Sequence, residues 1–595
     1  MASHSIPSLI ANKILHPNKQ KTSSSSCVGF RTFSVTCATP CKASSNSFNN
    51  ETQIIQRRSA NFQPSIWNYD YIQSLNSEYK EEKYLEQSLV LREEGRVMLC
   101  KVENHVDQLD LIDVLQRLGI AYHFKNEIKN MLQNIYNMDK SENRKDLHAL
   151  ALEFRILRQH GYHMSPDVFT DFLDEMGDFK ISQSVDIEGI LSLYEASFYS
   201  WEGETILDKA RDFTSKILEK YSLKNKSELG NYLSLLIDHS LEIPLHWRAP
   251  RWETHWFIHA YQTRNTMNPS LLDFAILDFN ILQTIHQEEL KYVSRWWRRV
   301  DLPKQLNFAR DRLVESYFWG IGMSFEPYLE FSRTTLAKVT SLATIIDDLY
   351  DVYGTLEELE LFTETIDRWD PKTIYNLPDF LKICFFAIHD FVNELAFEFL
   401  NVNGNNITPY LKKVWKDLCK SYFTEAKWYY SGYTPSLEEY IENAWISIAI
   451  PLMLTHSFSA IPYSFKRDEF SYFEEYCDII RFSATITRLI NDLRSQKREN
   501  EFGDVPKSIQ CCINESGVSE VKAQEHIKLM INTTWKKMNK EAHNSSLPPI
   551  FIEIAVNLAR MSMCMYHDRD AHTVQDPQIK RRISSLIFQP IPDKR

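Results

Sequence analysis

Apolar positions recur along this chain at helical intervals. Val106, Leu109, Ile112, Leu115 and Leu118 advance in three-residue steps, and Gly119 follows where a left-handed glycine would end a helix. Ile128, Met131, Leu132 and Ile135 begin a second amphipathic stripe. Strand-like alternation with hairpin turn pairs is scarce, and no solenoid period recurs. The pattern predicts an all-α fold. The most apolar stretch, Ala444 to Leu454, is interrupted by Pro451 and soon followed by Lys466 and Arg467. Crossing a bilayer takes about twenty apolar residues, so this stretch reads as a kinked, buried helix and the chain as lacking a membrane span. The polar run Thr263 to Pro269 precedes a new apolar helix beginning at Leu271, and a softer break lies at Ile461 to Asp468. These breaks divide the chain into two helical domains, 57–265 and 266–595.

Composition sharpens the picture. Only 15 of 595 residues are Gly, where an average protein has about 7%, and folds rich in tight turns are disfavoured. Gly-rich dinucleotide and phosphate loops, G-x-S-x-G, H-E-x-x-H and C-x-x-C are all absent. A net charge of −12 offers nucleic acid no general attraction. The first fifty residues contain eleven Ser, four Lys and Arg31 but no Asp or Glu. That is the composition of an organelle transit peptide, so 1–56 reads as a plastid leader. Beyond it stand seven scattered Cys, an odd number without metal-site spacing, expected to be buried free thiols.

Two acidic or oxygen-rich clusters carry the chemistry. In Asp347-Asp348-Leu349-Tyr350-Asp351, Asp347 and Asp351 lie one helical turn apart. Carboxylates beside an apolar run are costly to desolvate unless a cation sits among them; the bland alternative is an exposed acidic helix end. In the second cluster Asn491, Ser495 and Glu499 stand at i, i+4 and i+8, with Arg488 a turn earlier. A solvated helix face is the bland reading there. Taken together, the two stripes of hard oxygen donors suit Mg²⁺ or Mn²⁺, whose shell a diphosphate could complete. Arg310, Arg312, Arg488 and Lys507 are cations suited to that anion, or else ordinary surface charges and ion pairs.

D-D-L-Y-D at 347–351 with N-D-x-x-S-x-x-x-E at 491–499 resembles the plant class I terpene synthases. Arg57-Arg58, followed after eight residues by Trp67, is similar to the tandem-arginine motif of angiosperm monoterpene synthases. The likeness extends over Leu157-Arg158-Gln159-His160-Gly161, Ser294-Arg295-Trp296-Trp297 and Phe308-Ala309-Arg310-Asp311-Arg312. It implies an N-terminal α-barrel-like domain without its own active site, since no D-x-D-D occurs there, and a catalytic C-terminal α-bundle. It implies catalytic roles for Asp347, Asp348 and Asp351, with Mg²⁺ or Mn²⁺, three ions per site, held by Asp347, Asp351, Asn491, Ser495 and Glu499. The diphosphate of geranyl diphosphate would meet Arg310, Arg312, Arg488 and Lys507 beside Asp347, Asp351 and Asn491. Arg57, Arg58 and Trp67 would belong to a capping strand that supports isomerisation to linalyl diphosphate. A monomer is expected.

The resemblance also suggests Trp319 and Tyr566 as rings facing the carbocation. Thr340, two turns before Asp347, and Thr487, four residues before Asn491, should point into the pocket. Isoprene synthases resemble this chain but carry Phe at both places, so two Thr leave room for a ten-carbon chain. Their hydroxyls are candidates to hold a water and bias the product toward an alcohol. Glu501-Phe502-Gly503 departs from a Lys-Arg-Gly run found in many relatives. The alternatives are a sesquiterpene synthase acting on farnesyl diphosphate and a catalytically dead prenyl-diphosphate-binding protein.

Overall fold

The computed structural model describes residues 57–592 except 58, 139–145, 181–185, 225–231, 464–466, 503, 504, 568, 569, 571, 574 and 576. The leader expected at 1–56 and Arg58 therefore lie outside the described residues, as do the side chains of 496–502. Among the described residues the fold is helical, as expected, and the one β contact is an isolated bridge between Leu173 and Phe179.

The two stripes read from the sequence form the helices His105–Arg117 and Lys125–Asn137. Asn104 caps the first by accepting from the backbone N–H groups of Val106 and Asp107. Gly119 follows it at φ +73°, and a Cβ there would stand 2.6 Å from the Thr254 hydroxyl. Conformation and close packing both demand glycine. Helices His105–Arg117, Leu147–Gln159, Ile187–Ser197, Thr205–Lys224, Tyr232–Glu242 and Pro250–Tyr261 each pack on the next, and the last returns to the first. That closed order of neighbours is the barrel-like domain. Glu253 inside it is held well below the usual carboxylate range: burial opposes its charge, but Arg248 and Arg117, each at 2.8 Å, prevail.

After Tyr261 the chain breaks where the polar run predicted. Asn268 caps the long helix α1 (Pro269–Val300) by accepting from Leu271 N, and Pro269 opens it. Further helices that bear on the site are α2 (Leu313–Met323), α3 (Glu330–Asp348), α4 (Thr408–Ser431), α5 (Leu437–Ser447), α6 (Ile450–Phe458), α7 (Asp478–Phe502) and α8 (Pro549–Met565). α2 packs on α3 and α8; α6 packs on α3, α4 and α7; α7 also meets α5 and α8. The α2–α3 approach is close because Gly320 leaves room: a Cβ there would lie 3.1 Å from the Arg333 carbonyl. A fully buried Arg333–Glu289 pair at 2.6 Å ties α3 to α1.

Two sequence expectations need correction. The stretch 444–454 is not one kinked helix: α5 ends at Ser447, Ala449 takes the left-handed conformation at φ +64°, and α6 starts at Ile450 with Pro451 in its first turn. Proline tolerates that first turn because its missing N–H has no partner there anyway. Nor are all the thiols buried: Cys100 is exposed and Cys477 half-buried, while Cys384, Cys419, Cys511, Cys512 and Cys564 are buried, and all seven are free. Among the described residues no helix is long and apolar enough to cross a membrane.

Candidate active site

A cavity of about 410 Å³ opens among α2 to α8. Its first wall comes from α3 and the single π-helical turn Leu349–Tyr353 that continues it. This turn carries Asp351, while Asp347 and Asp348 end α3; such local rewinding often accompanies functional sites. A second wall comes from Arg488, Asn491 and Ser495 of α7, with Lys507 beyond that helix. α3 and α7 are held in register by α6, against which both pack. Trp319, Thr340, Ala343, Met453, Thr487 and Tyr566 contribute the less polar lining. The structure thus gathers most of the residues singled out from the sequence around one space.

The three aspartates differ. Asp348 is 1% exposed and serves Arg310: it accepts from the Arg310 backbone N–H at 2.6 Å and lies 2.9 Å from Nε. Burial pushes the Asp348 carboxyl up to about 6, with the neighbouring charge of Asp347 adding to the shift and Arg310 opposing it. The Asp347 side chain keeps 30% of its surface open and shares Arg310 through Nη2 at 2.5 Å. Burial works against the Arg310 charge, yet the two aspartates hold its pKa above the ordinary range. Arg310 also donates to the Thr573 hydroxyl at 2.7 Å.

On the α7 wall, Arg488 Nη1 donates to Asn491 Oδ1 at 3.2 Å, Nη2 to the Ser447 hydroxyl at 3.2 Å, and Nε to the Ala444 carbonyl at 3.2 Å. Ser495 donates to the Asn491 carbonyl. Asp492, within the same motif, is fully buried and accepts from the Tyr440 hydroxyl and Ser508 N, so it braces the helix. Lys507 Nζ lies 3.4 Å from Glu425, which also accepts from Ser447 and Asn443. The Glu499 side chain, expected to complete this stripe, lies outside the described residues, as do those of Glu501 and Phe502.

Three predicted residues stand off the cavity. Arg312 does not line it. Its guanidinium is spent on the backbone carbonyls of Gln63, Asp311, His572 and Thr573. Arg57 holds Glu358 with two bonds of 2.8 Å and the Tyr353 carbonyl at 3.0 Å, with its guanidinium carbon 4.3 Å from the Tyr353 ring centre and 5.0 Å from that of Phe380. Trp67 donates through Nε1 to buried Glu315 at 2.9 Å and packs on Phe588. The strand between them reaches the site instead: Ser59, Ala60 and Phe62 line the cavity, and Phe62 sits 5.1 Å from the Arg310 guanidinium.

The Trp319 and Tyr566 rings do line the cavity, with centroids 6.0 Å apart. Thr487 spends its hydroxyl on the Ser483 carbonyl at 2.9 Å. The Thr340 hydroxyl is buried and has no hydrogen-bond partner among the described residues. Sequence reasoning missed Tyr422, Glu425, Tyr429, Asp570, His572 and Phe62, which also border the cavity. They stand singly, outside any spaced motif.

Among the described residues no three acidic, His or Cys side chains gather as a ready-made metal cage. Among the lining residues, Asp347, Asp351, Asn491 and Ser495 offer two carboxylates, an amide and a hydroxyl. Such hard oxygens fit Mg²⁺ or Mn²⁺, which keep waters and take phosphate oxygens alongside one or two carboxylates.

The sequence agrees with this geometry. Residues 66–241 match the terpene synthase N-terminal domain and residues 298–537 the metal-binding domain of the terpene synthase family. The chain belongs to that family, and is a lyase using a divalent metal ion. It is 52% identical to a chloroplastic myrcene synthase of Quercus ilex, covering 90% of each chain. It is 48% identical to a (−)-α-terpineol synthase of Vitis vinifera, covering 93% of this chain and 95% of that one. Among solved structures, a limonene synthase with 2-fluorolinalyl diphosphate superposes with a TM-score of 0.87 at 43% identity, covering 90% of this chain and all of that one. Grey poplar isoprene synthase, with three Mg²⁺ and a dimethylallyl thiolodiphosphate, gives 0.81 at 42%, covering 89% and 99%.

Proposed function

We propose that this chain ionises geranyl diphosphate and converts the ten-carbon allylic cation to monoterpene products, releasing diphosphate. One observation carries the reading: a single cavity joins oxygen donors of α3, its π turn and α7, and the cations Arg310, Arg488 and Lys507, to a lining of aromatic and aliphatic side chains. The monoterpene products named for the relatives, and the linalyl diphosphate analogue in limonene synthase, support the ten-carbon substrate.

Mg²⁺ or Mn²⁺, when bound, supplies charge that neutralises the departing diphosphate. Asp347 and Asp351 on one side, and Asn491, Ser495 and Glu499 on the other, would hold it; three ions per site follow by analogy with the isoprene synthase complex. Arg310, Arg488 and Lys507 contact the diphosphate with charge-assisted hydrogen bonds that strengthen as the C–O bond breaks. Asp348 positions Arg310 for that task. Arg312 acts at one remove, by clamping the stretch that carries Phe62 to His572 and Thr573. Trp319 and Tyr566 present ring faces to the cation, worth about 0.5 to 2 kcal/mol each, while the lining keeps bulk water off it. Arg57 and Trp67 anchor the cap, to which Arg58 would also belong, that supports isomerisation to linalyl diphosphate.

The same reading divides the chain at 265/266, with chemistry in the second domain alone, and takes the protein as a monomer. The acid-free leader and the chloroplastic relatives support import into the plastid stroma. Incubation of the full chain with Mg²⁺ and geranyl, farnesyl or dimethylallyl diphosphate, with volatiles read by gas chromatography–mass spectrometry, tests the reading. Ten-carbon products from geranyl diphosphate are expected. Fifteen-carbon products alone would make it a sesquiterpene synthase.

A further inference from the structure

We infer that the cavity holds one water between Thr340 and His572, and that the main product is a tertiary ten-carbon alcohol formed by capture of that water. This rests on the geranyl diphosphate reading and deepens it. The wall formed by Thr340, Thr344 and His572 is polar in a way the diphosphate site does not use. All three residues border the cavity. Two of their atoms are buried without a hydrogen-bond partner among the described residues: Thr340 Oγ1 and His572 Nδ1. Leaving buried polar atoms unpaired is costly, and structures seldom do it without a water or ligand to satisfy them.

The protons on this wall can be assigned. Thr344 Oγ1 donates its one proton to the Thr340 carbonyl at 2.9 Å. Its 2.8 Å contact with His572 Nε2 then requires the imidazole to donate from Nε2. Nδ1 is left as a bare lone pair. Asp570 fixes the segment by accepting from the backbone N–H groups of His572 and Thr573 at 3.1 and 3.2 Å. Burial, helped by the nearby Arg310 charge, pushes the imidazole down to about 3, so it is neutral at physiological pH.

A bridging water fits this pair. It accepts from, or donates to, the Thr340 hydroxyl and donates to Nδ1, meeting the two-partner minimum for a buried water. When the cation forms, the water oxygen gives a lone pair to the tertiary carbon and the C–O bond forms. The resulting protonated alcohol passes its extra proton to Nδ1. The C–O bond to diphosphate is the bond broken, so substrate and water yield alcohol, diphosphate and one proton. Thr487 is less suited to the role because its hydroxyl is turned to Ser483.

The test is product analysis of the full chain with geranyl diphosphate and Mg²⁺ in ¹⁸O-water, by chiral gas chromatography–mass spectrometry. The expected result is a tertiary alcohol carrying ¹⁸O as the largest product. Thr340→Val should lower the alcohol-to-olefin ratio by about tenfold, the loss of one buried hydrogen bond, while Thr340→Ser keeps the alcohol. Thr340→Ala provides a second reading of the same ratio should the Val variant not fold. Ten-carbon olefins without alcohol from the wild type overturn the inference and leave the geranyl diphosphate reading standing. An unchanged ratio in Thr340→Val, or equal loss in Val and Ser variants, also overturns it. Absence of any ten-carbon product overturns the reading beneath it.

Discussion

Arg310 binds Asp348 through both its backbone N–H, at 2.6 Å, and its guanidinium Nε, at 2.9 Å. A motif aspartate is thereby committed to holding an arginine, while its neighbour Asp347 shares that arginine but keeps 30% of its side-chain surface open. The two adjacent carboxylates should respond differently to neutralisation. Asp347→Asn should lower turnover by about two to three powers of ten, the scale for losing transition-state charge stabilisation, with little change in melting temperature. Asp348→Asn should lower turnover less, by loosening Arg310, and should melt at or above the wild-type temperature at pH 8, because burial opposes the charge that the substitution removes. Steady-state rates beside thermal melts separate the two; an equal loss of turnover in both variants would contradict the division of roles.

The cap is anchored outside the cavity. Arg57 grips Glu358, whose carboxylate also closes the capping box with Thr355 at the start of the helix Leu356–Arg368. It also takes the Tyr353 carbonyl at the end of the π turn that carries Asp351. One arginine thus anchors the cap to both the π turn and the helix that follows it. Arg57→Ala should slow geranyl diphosphate turnover by about tenfold or more, and slow linalyl diphosphate less, because the isomerisation has already been made. Parallel kinetics on the two substrates check this.

Trp319 is 4% exposed and packs beside Tyr566 in the cavity lining. Trp319→Phe keeps a ring face and should retain most activity. Trp319→Ala removes it and should cost about three- to thirtyfold, from a cation–π contribution of about 0.5–2 kcal/mol. Equal rates for both variants would leave Trp319 as packing.

Away from the site, burial pushes the Glu326 carboxyl up from 4.5 to about 7, and the Glu553 charge adds to the shift against Lys125 and Arg333. The folded chain thus binds this proton more tightly than the unfolded one. Its stabilising contribution is complete below about pH 4.5 and is lost as pH rises through about 7. Glu326→Gln should melt like the wild type near pH 5 and at a higher temperature than the wild type at pH 8.

The all-α class and several helix boundaries were legible because three-residue apolar steps and a stop glycine are local signals. His105–Arg117 with Gly119 illustrates this. The gathering of Asp347, Asp351, Asn491 and Ser495 at one cavity was legible for a similar reason: they sit at helical spacing within two short segments. What escaped was set by tertiary packing. Tyr422, Glu425 and His572 are isolated residues brought to the cavity by α4 and by the segment after α8. Arg312 shows the converse case: a cation in the right motif whose hydrogen bonds go to backbone carbonyls instead of the cavity.

The most direct test of the central claim is a single-turnover assay of diphosphate release from geranyl diphosphate with Mg²⁺. It compares the wild type with Asp347→Asn and Asn491→Ala. The account predicts one diphosphate and one ten-carbon volatile per active site from the wild type. Chelation of the metal should abolish both, and each variant should slow both by about a hundredfold or more. Geranyl diphosphate bound by the wild type and recovered intact would contradict it, leaving a protein that sequesters the diphosphate without ionising it.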